Sequence, residues 1–245
     1  MGRLVILAGP SCVGKGPLCA ALERRYPELA SALHEIVLYN SRAPRPGEND
    51  GVDYHFRGRR RIRRLKGRGF ALFEVRGDLQ AVDLGEVRER LRGPGDLFFE
   101  GNPFVAEALR RACARSKPVS VFLSPLSRAE ILELRRGRVR LPELVADVMR
   151  RKLLKRTLRQ KGVLSAADRS EIERRCRSAF RELGFARRFQ FVLPNLDGED
   201  SENWDRPGPP RGGARRVLAA FAAILKGRRP ALAEAWERGL LQRRF

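Results

Sequence analysis

Near the start of the chain, the apolar run Leu4 to Ala8 leads into Gly9-Pro10-Ser11-Cys12-Val13-Gly14-Lys15. This is the spacing of a phosphate-binding loop. Gly9 and Gly14 let the backbone turn so that its amides point at phosphate oxygens, and a helix beginning near Lys15 adds the positive end of its dipole. The Lys15 ammonium reaches the terminal phosphates as a point charge. Gly9, Ser11, Cys12, Val13, Gly14, Lys15 and Gly16 therefore form the expected phosphate-binding set. The pattern departs at its last position, where a Ser or Thr hydroxyl would hold Mg²⁺ and this chain has Gly16-Pro17. Without that hydroxyl, Mg²⁺ would be held by nucleotide oxygens, waters and an outer-sphere acid.

A second segment, Ser41 to Phe56, sets Arg42, Arg45, Tyr54 and Glu48 on a turn stiffened by Pro44, Pro46 and Gly47. Arginine forks grip a phosphate dianion with two parallel bonds, and Pro and Gly fix the loop that aims them. Residues 59 to 68, RRRIRRLKGR, are a dense basic run whose preferred reading is a solvated helix face.

The elements that must carry these residues alternate between strand and helix. Strands are expected at Leu4–Ala8, Glu35–Tyr39, Phe70–Arg76, 96–101, 119–124 and 189–195. Helices are expected at Lys15–Arg25, Leu84–Arg92 and Phe104–Arg115, through 128–183 with a break near 160–168, at Val217–Lys226, and over Ala231–Leu241. Residues 196–213 read as a loop or linker. The alternation predicts an α/β fold with a mostly parallel sheet and helices on its faces. Residues 141–160 carry an apolar stripe (Leu144, Val145, Val148, Met149, Leu153, Leu154), read first as a core-packing helix and otherwise as a dimer or membrane-surface helix.

With 245 residues, 42% of them hydrophobic, the chain can bury a substantial core. No apolar run approaches the ~18 residues needed to span a bilayer, and the N-terminus lacks the regions of a signal peptide, so the cytoplasm is the expected location. The four cysteines show no metal-ligand spacing and are expected as reduced thiols, with Cys12 a neutral loop residue. The net charge of +22 admits a nucleic-acid partner. However, the basic residues are spread along the chain, few aromatics are interleaved to stack bases, and 44 of the 51 are Arg, as a GC-rich genome would give. Small polyphosphate-bearing molecules are favoured over nucleic acid, and the oligomeric state is unreadable.

Placed after a phosphate loop, the segment Arg42, Pro44, Arg45, Gly47, Glu48, Gly51, Asp53, Tyr54, Phe56 resembles the guanylate kinase family, whose pattern here is R-x-P-R-x-G-E-x-x-G-x-D-Y-x-F. The resemblance continues more weakly through FEVRG, DLFFEG, VSVFLS, SEIERRCRSA and FQFVLPN, over roughly residues 3 to 226. It implies a three-layer P-loop NTPase core, an acceptor-binding insert and a mobile helical lid, with ATP and Mg²⁺ as cofactors and nucleotides as substrates. The implied boundaries are 1–36 with 94–135 and 186–228 for the core, 37–93 for the acceptor region, 136–185 for an extended basic lid, and 229–245 for a C-terminal extension. The implied reaction is transfer of the ATP γ-phosphoryl to GMP. By the same resemblance Lys15, Arg175 and Lys161 are catalytic, and Arg42, Arg45, Glu48, Tyr54 and Asn102 bind the acceptor. Glu100 is the acid near the metal.

Several positions depart from the family pattern. Leu38, Gln80, Val82 and Asn102 replace residues that read guanine or its phosphate, although Glu74, Asp83 and Asn102 could supply acceptors. Two other readings stay open: a kinase of a different phosphorylated small molecule, and a non-catalytic binding module.

Overall fold

The computed structural model describes residues 2–44, 47–204 and 208–242. The chain opens with β1 (Leu4–Ala8), whose five residues are all fully buried, and enters α1 (Lys15–Arg25) through Gly14. Pro17 falls in the first turn of α1, where its missing N–H loses no helical bond. A short α2 (Pro27–Ala30) precedes β2 (Leu33–Glu35), β3 (Leu38–Asn40), β4 (Tyr54–Phe56) and α3 (Arg59–Arg63). Next come the hairpin β5 (Phe70–Val75) and β6 (Asp78–Asp83), α4 (Leu84–Arg90), β7 (Asp96–Gly101), α5 (Pro103–Ala112) and β8 (Val119–Ser124). Three helices, α6 (Arg128–Arg136), α7 (Leu141–Lys161) and α8 (Ala166–Leu183), lead to β9 (Phe191–Pro194) and α9 (Gly212–Leu225).

One sheet has the order β2-β7-β1-β8-β9, with β2–β7 and β8–β9 parallel. The crossed order and helical connections are those of an α/β fold. A second sheet has the order β4-β3-β6-β5, in which β6 runs antiparallel to both β3 and β5. No helix among the described residues is long and apolar enough to cross a membrane.

The chain forms two compact units, one of Met1–Ile6, Ala32–Glu100 and Phe104–Val119, the other of Leu7–Ser31, Gly101–Pro103 and Ser120–Phe245. In the first, Ile62 of α3 is fully buried against Leu79 and Ala81 of β6, with Tyr39, Leu65, Phe70 and Leu72 around it. The expected strand Glu35–Tyr39 is in fact two strands. Ile36 donates to the Phe98 carbonyl (2.9 Å), and the chain then leaves β7 so that Leu38 can be buried in the other sheet. Strand β6 was not expected. Its hairpin turns on Arg76 (φ 55°) and Gly77 (φ 93°), both left-handed, which matches the twist of paired strands.

In the second unit, Phe122 of β8 stacks edge-on against Phe189 (5.3 Å), and α1 lies against α2 and α9. Helix α7 packs along α8, burying Leu141, Val145, Met149, Leu153 and Thr157 at four-residue intervals. Of the expected stripe, Leu144, Val148 and Leu154 are only half-buried. Ser127 and Ser165 begin α6 and α8 with reciprocal capping boxes to Glu130 and Asp168.

Residues 231–241 do not form the expected helix. Glu234 and Val192 exchange both backbone bonds (2.9 and 2.8 Å), and this pairing uses the groups a helix would need. Arg128 holds the segment through Glu237 (3.0 and 2.9 Å), and Trp236 and Leu240 are buried. Replacing Trp236 with Ala should therefore lower the unfolding free energy of the full chain by ~3–5 kcal/mol in a urea titration.

Candidate active site

The phosphate loop belongs to the second unit, and steric necessity explains its residues. A Cβ on Gly9 would lie 2.6 Å from the Leu123 carbonyl oxygen and 2.9 Å from Val13 Cγ1, so no side chain fits there. Cys12 (φ 62°) and Gly14 (φ 96°) are both left-handed, and a Cβ on Gly14 would meet Asn195 Nδ2 and the Asp197 carbonyl oxygen at 2.6 Å. The Lys15 ammonium is buried and curls back over the loop, donating to the carbonyls of Gly9 (3.3 Å) and Pro10 (3.2 Å).

What holds this loop from behind was not legible in the sequence. The fully buried Asn195 donates to the Val13 carbonyl (2.7 Å) and to the Asp197 carbonyl (2.9 Å). The Asp197 carboxylate accepts from the Ala214 N–H (2.7 Å) at the start of α9, and from Ser201 (2.8 Å) and Asn203 (2.7 Å). This explains why α9 begins at Gly212 and not at 217: the carboxylate caps its first turn, and a Cβ on Gly213 would meet it at 2.5 Å. Within the stretch expected as a loop or linker, Asp197, Ser201 and Asn203 thus serve as a scaffold.

Beside the loop, Arg156 of α7 pairs with Glu199 at 2.6 Å, and the Glu199 N–H approaches the Cys12 carbonyl (3.4 Å). Burial pushes the Glu199 carboxyl up, but Arg156, then Lys15 and Arg175, more than offset this and hold it below the usual range. Lys15, Arg156 and Arg175 therefore act on one half-buried carboxylate. Arg175 of α8 is itself buried and donates from Nε to Glu171 (2.8 Å). Burial, reinforced by Glu199, pushes the Cys12 thiol up to about 12, so it stays protonated. Lys161 lies elsewhere, with its Nζ 2.6 Å from Asp168 at the start of α8. Asn102 donates to Glu182 of α8 (3.1 Å), which also accepts from Ser178 (2.9 Å).

The acceptor segment belongs to the first unit. Arg42 grips Glu48 with two bonds of 2.6 Å and donates to the Ala43 carbonyl (2.9 Å). Its guanidinium stacks over the rings of Tyr54 (5.1 Å) and Phe56 (5.4 Å), which fixes its plane. Asp53 accepts from the Asn49 N–H (2.7 Å) and closes the turn whose Gly51 has φ 80°. Arg45 lies outside the described residues. In the same unit, a cavity of about 220 Å³ is lined by Glu35, Leu38, Asp53, Tyr54, Phe98 and Glu100, among others. Of the other polar groups near this segment, Glu74 pairs with Arg59, and Asp83 caps α4 through the N–H groups of Gly85 (2.8 Å) and Glu86 (3.0 Å). Gln80 lies in β6 opposite Asn40 and Phe73.

Gly16 offers no hydroxyl, and no group of three or more His, Cys, Asp or Glu among the described residues is placed to hold a metal.

A loop of this build, its lysine folded over it and a half-buried arginine paired beside it, serves phosphoryl transfer, and the strand–loop–helix that carries it makes the chain a P-loop phosphotransferase. Comparison with known proteins narrows the class. The guanylate kinase family model matches residues 1–149. The guanylate kinase of Synechococcus sp. (strain JA-3-3Ab) is 32% identical over 196 residues, 79% of this chain and 76% of that one. That of Rhodococcus jostii (strain RHA1) is 33% identical over 199 residues, 80% and 81% of the two chains. The crystal structure of guanylate kinase from Anaplasma phagocytophilum shares the fold, with a TM-score of 0.54 and 18% identity over 92% of this chain and 85% of that one. The chain belongs to the guanylate kinase family.

A Cβ on Gly16 would meet nothing within 4 Å, so a side chain fits where the hydroxyl is missing. Gly16→Ser should lower, several-fold, the Mg²⁺ concentration that gives half-maximal ADP formation, and should leave thermal stability unchanged or slightly raised.

Proposed function

We propose that this chain carries out its family's reaction, transfer of the γ-phosphoryl group from ATP to GMP, with Lys15, Arg156 and Arg175 on the transferred and leaving phosphates. The observation that carries this assignment is the strained phosphate loop with Lys15 folded over it (3.3 and 3.2 Å to the Gly9 and Pro10 carbonyls) and the Arg156–Glu199 pair (2.6 Å) beside it. Glu199 pairs with Arg156 and holds its side chain in place before the nucleotide arrives. In the transfer, an oxygen of the GMP phosphate attacks Pγ in line, the bond from Pγ to the β–γ bridging oxygen breaks, and ADP leaves. Charge spreads over the γ-oxygens and the bridging oxygen, so cations fixed in advance lower the barrier without reorganising. Mg²⁺ comes with ATP, on phosphate oxygens and water.

On the acceptor side, Arg42, Arg45 and Tyr54 hold the GMP phosphate, and Glu48 aims Arg42. Three of the five N–H groups of Arg42 are used within the loop, which leaves two for an anion among the described residues. Guanine presents N1–H and N2–H₂ donors, so its site needs acceptors. Leu38 and Val82 supply none. Glu100 and Glu35, which line the 220 Å³ cavity beside Tyr54, take that role in this reading. A site built to accept such bonds rejects bases that lack them.

The test is ADP formation from Mg-ATP against GMP, AMP, CMP, UMP and ribose phosphates. GMP should be turned over with kcat/KM at least ~100-fold above the others, and Glu100→Gln should erode that preference. Lys15→Ala should abolish turnover, and Arg156→Gln should lower kcat by about 100-fold or more with little change in KM for GMP. Turnover with another acceptor alone would reassign the substrate, and none with any acceptor would leave a binding module.

A further inference from the structure

From residue 54 to residue 73 the sequence contains no Asp or Glu, yet it holds Arg57, Arg59, Arg60, Arg61, Arg63, Arg64, Lys66 and Arg68. The structure divides these cations into two groups. Arg57 is bound to Asp50 (2.8 Å) and Arg59 to Glu74. The other six are exposed on α3 and the turn after it, and none has an acidic partner among the described residues. On α6 and α7, by contrast, several arginines have acidic partners: Arg136 faces Glu133 (3.4 Å), Arg140 faces Glu143 (2.7 Å), and Arg150 is shared by Glu173 (2.7 Å) and Asp147. Six such exposed cations within nine residues, in a stretch that has no acid of its own, make a local concentration of positive charge suited to an external anion.

We propose that the outer face of α3 and its following turn bind the phosphate backbone of nucleic acid, without reading its sequence. The geometry favours this occupant over an anionic bilayer. The apolar residues of the segment, Ile62 and Leu65, face inward on the β6 core, so no apolar side chain is left to insert between lipids. No exposed aromatic ring stands among the cations to stack bases, so contacts fall on phosphates and a duplex serves as well as a single strand. Ile62, fully buried, pins the helix so that its cations project as a fixed row.

The proposal is independent of the kinase reaction, and binding is measured on the full chain without nucleotide. Anisotropy of a fluorescein-labelled RNA duplex, and of the same sequence as DNA, is followed from about 50 to about 200 mM KCl. With six phosphate contacts the affinity should fall ~10³-fold over that range. In the variant Arg60→Gln, Arg61→Gln, Arg63→Gln, Arg64→Gln the fall should shrink to ~10-fold, because two contacts remain. Its melting temperature and its ADP formation should match the parent. A second variant, Arg187→Gln, Arg215→Gln, Arg216→Gln, Arg228→Gln, removes the same charge from exposed sites elsewhere and should keep the parent's salt slope. An equal loss in both variants would overturn the proposal, since net charge alone would then explain binding. So would an unchanged slope in the first variant, or binding to phosphatidylserine vesicles without binding to either duplex. RNA and DNA bound alike is the expected result for backbone recognition, and discrimination between bases would overturn it.

Discussion

The amide of Asn195 is the tie on which the phosphate loop depends. Two residues of that loop, Cys12 and Gly14, are left-handed, and for Cys12 this conformation costs about 1–2 kcal/mol. Such a shape persists only when surrounding structure fixes it. Asn195 does so by bonding the Val13 carbonyl between the two, and it is fixed in turn by Asp197. Asp197 also caps α9, and its carbonyl accepts from the Trp204 indole at 2.7 Å. A glycine loop at the N-terminus is therefore shaped by residues about 180 positions later. Without the Asn195 amide, the buried Val13 carbonyl would go unpaired, at a cost of about 1–3 kcal/mol.

The second constraint is charge. Lys15 and Arg175 are buried and Arg156 is half-buried, and cations withdrawn from water need anions close by. Glu199 pairs with Arg156 and Glu171 with Arg175, yet a partly buried ion pair adds little net stability, because desolvation consumes most of the attraction. Its value lies in position: Arg156 is held at the loop whether or not a phosphate is present. Helical geometry also separates Arg156 from Lys161. Five residues along an α-helix rotate a side chain by about 140°. One residue can face the loop, and the other, at the end of α7, meets Asp168.

What the sequence reveals here is what it encodes locally. The loop from Gly9 to Lys15 is legible because each residue answers a nearby steric or electrostatic demand, and Arg42, Glu48 and Tyr54 follow the same rule. Glu199 is not legible, since the polar stretch LDGEDSENWD has the composition of a loop or linker, and Asn195, at the end of the expected strand 189–195, gives no sign of its distant partner. Arg156 is hidden for a different reason. On a helix as basic as α7, the charged residue that faces inward is decided by the face that packs on α8. The run Glu35–Tyr39 shows a third limit, because a short apolar run says nothing about which sheet receives it. Within the basic run 59–68, residues 59–63 form a helix with exposed cations, while the buried Ile62 that anchors it carries no signal beyond its type.

One feature of the fold bears on how the molecule behaves among its own copies. β9 stands at the end of the five-stranded sheet, with β8 on one side only. An open strand edge is a template on which other chains can pair. In this protein Glu234 occupies part of that edge with its own backbone, and Trp236 and Arg128 keep it in place. The segment after α9 is thus a guard against self-association, supplied in the same polypeptide. A shortened chain would be expected to fail first by aggregating, even with every phosphate-binding residue intact.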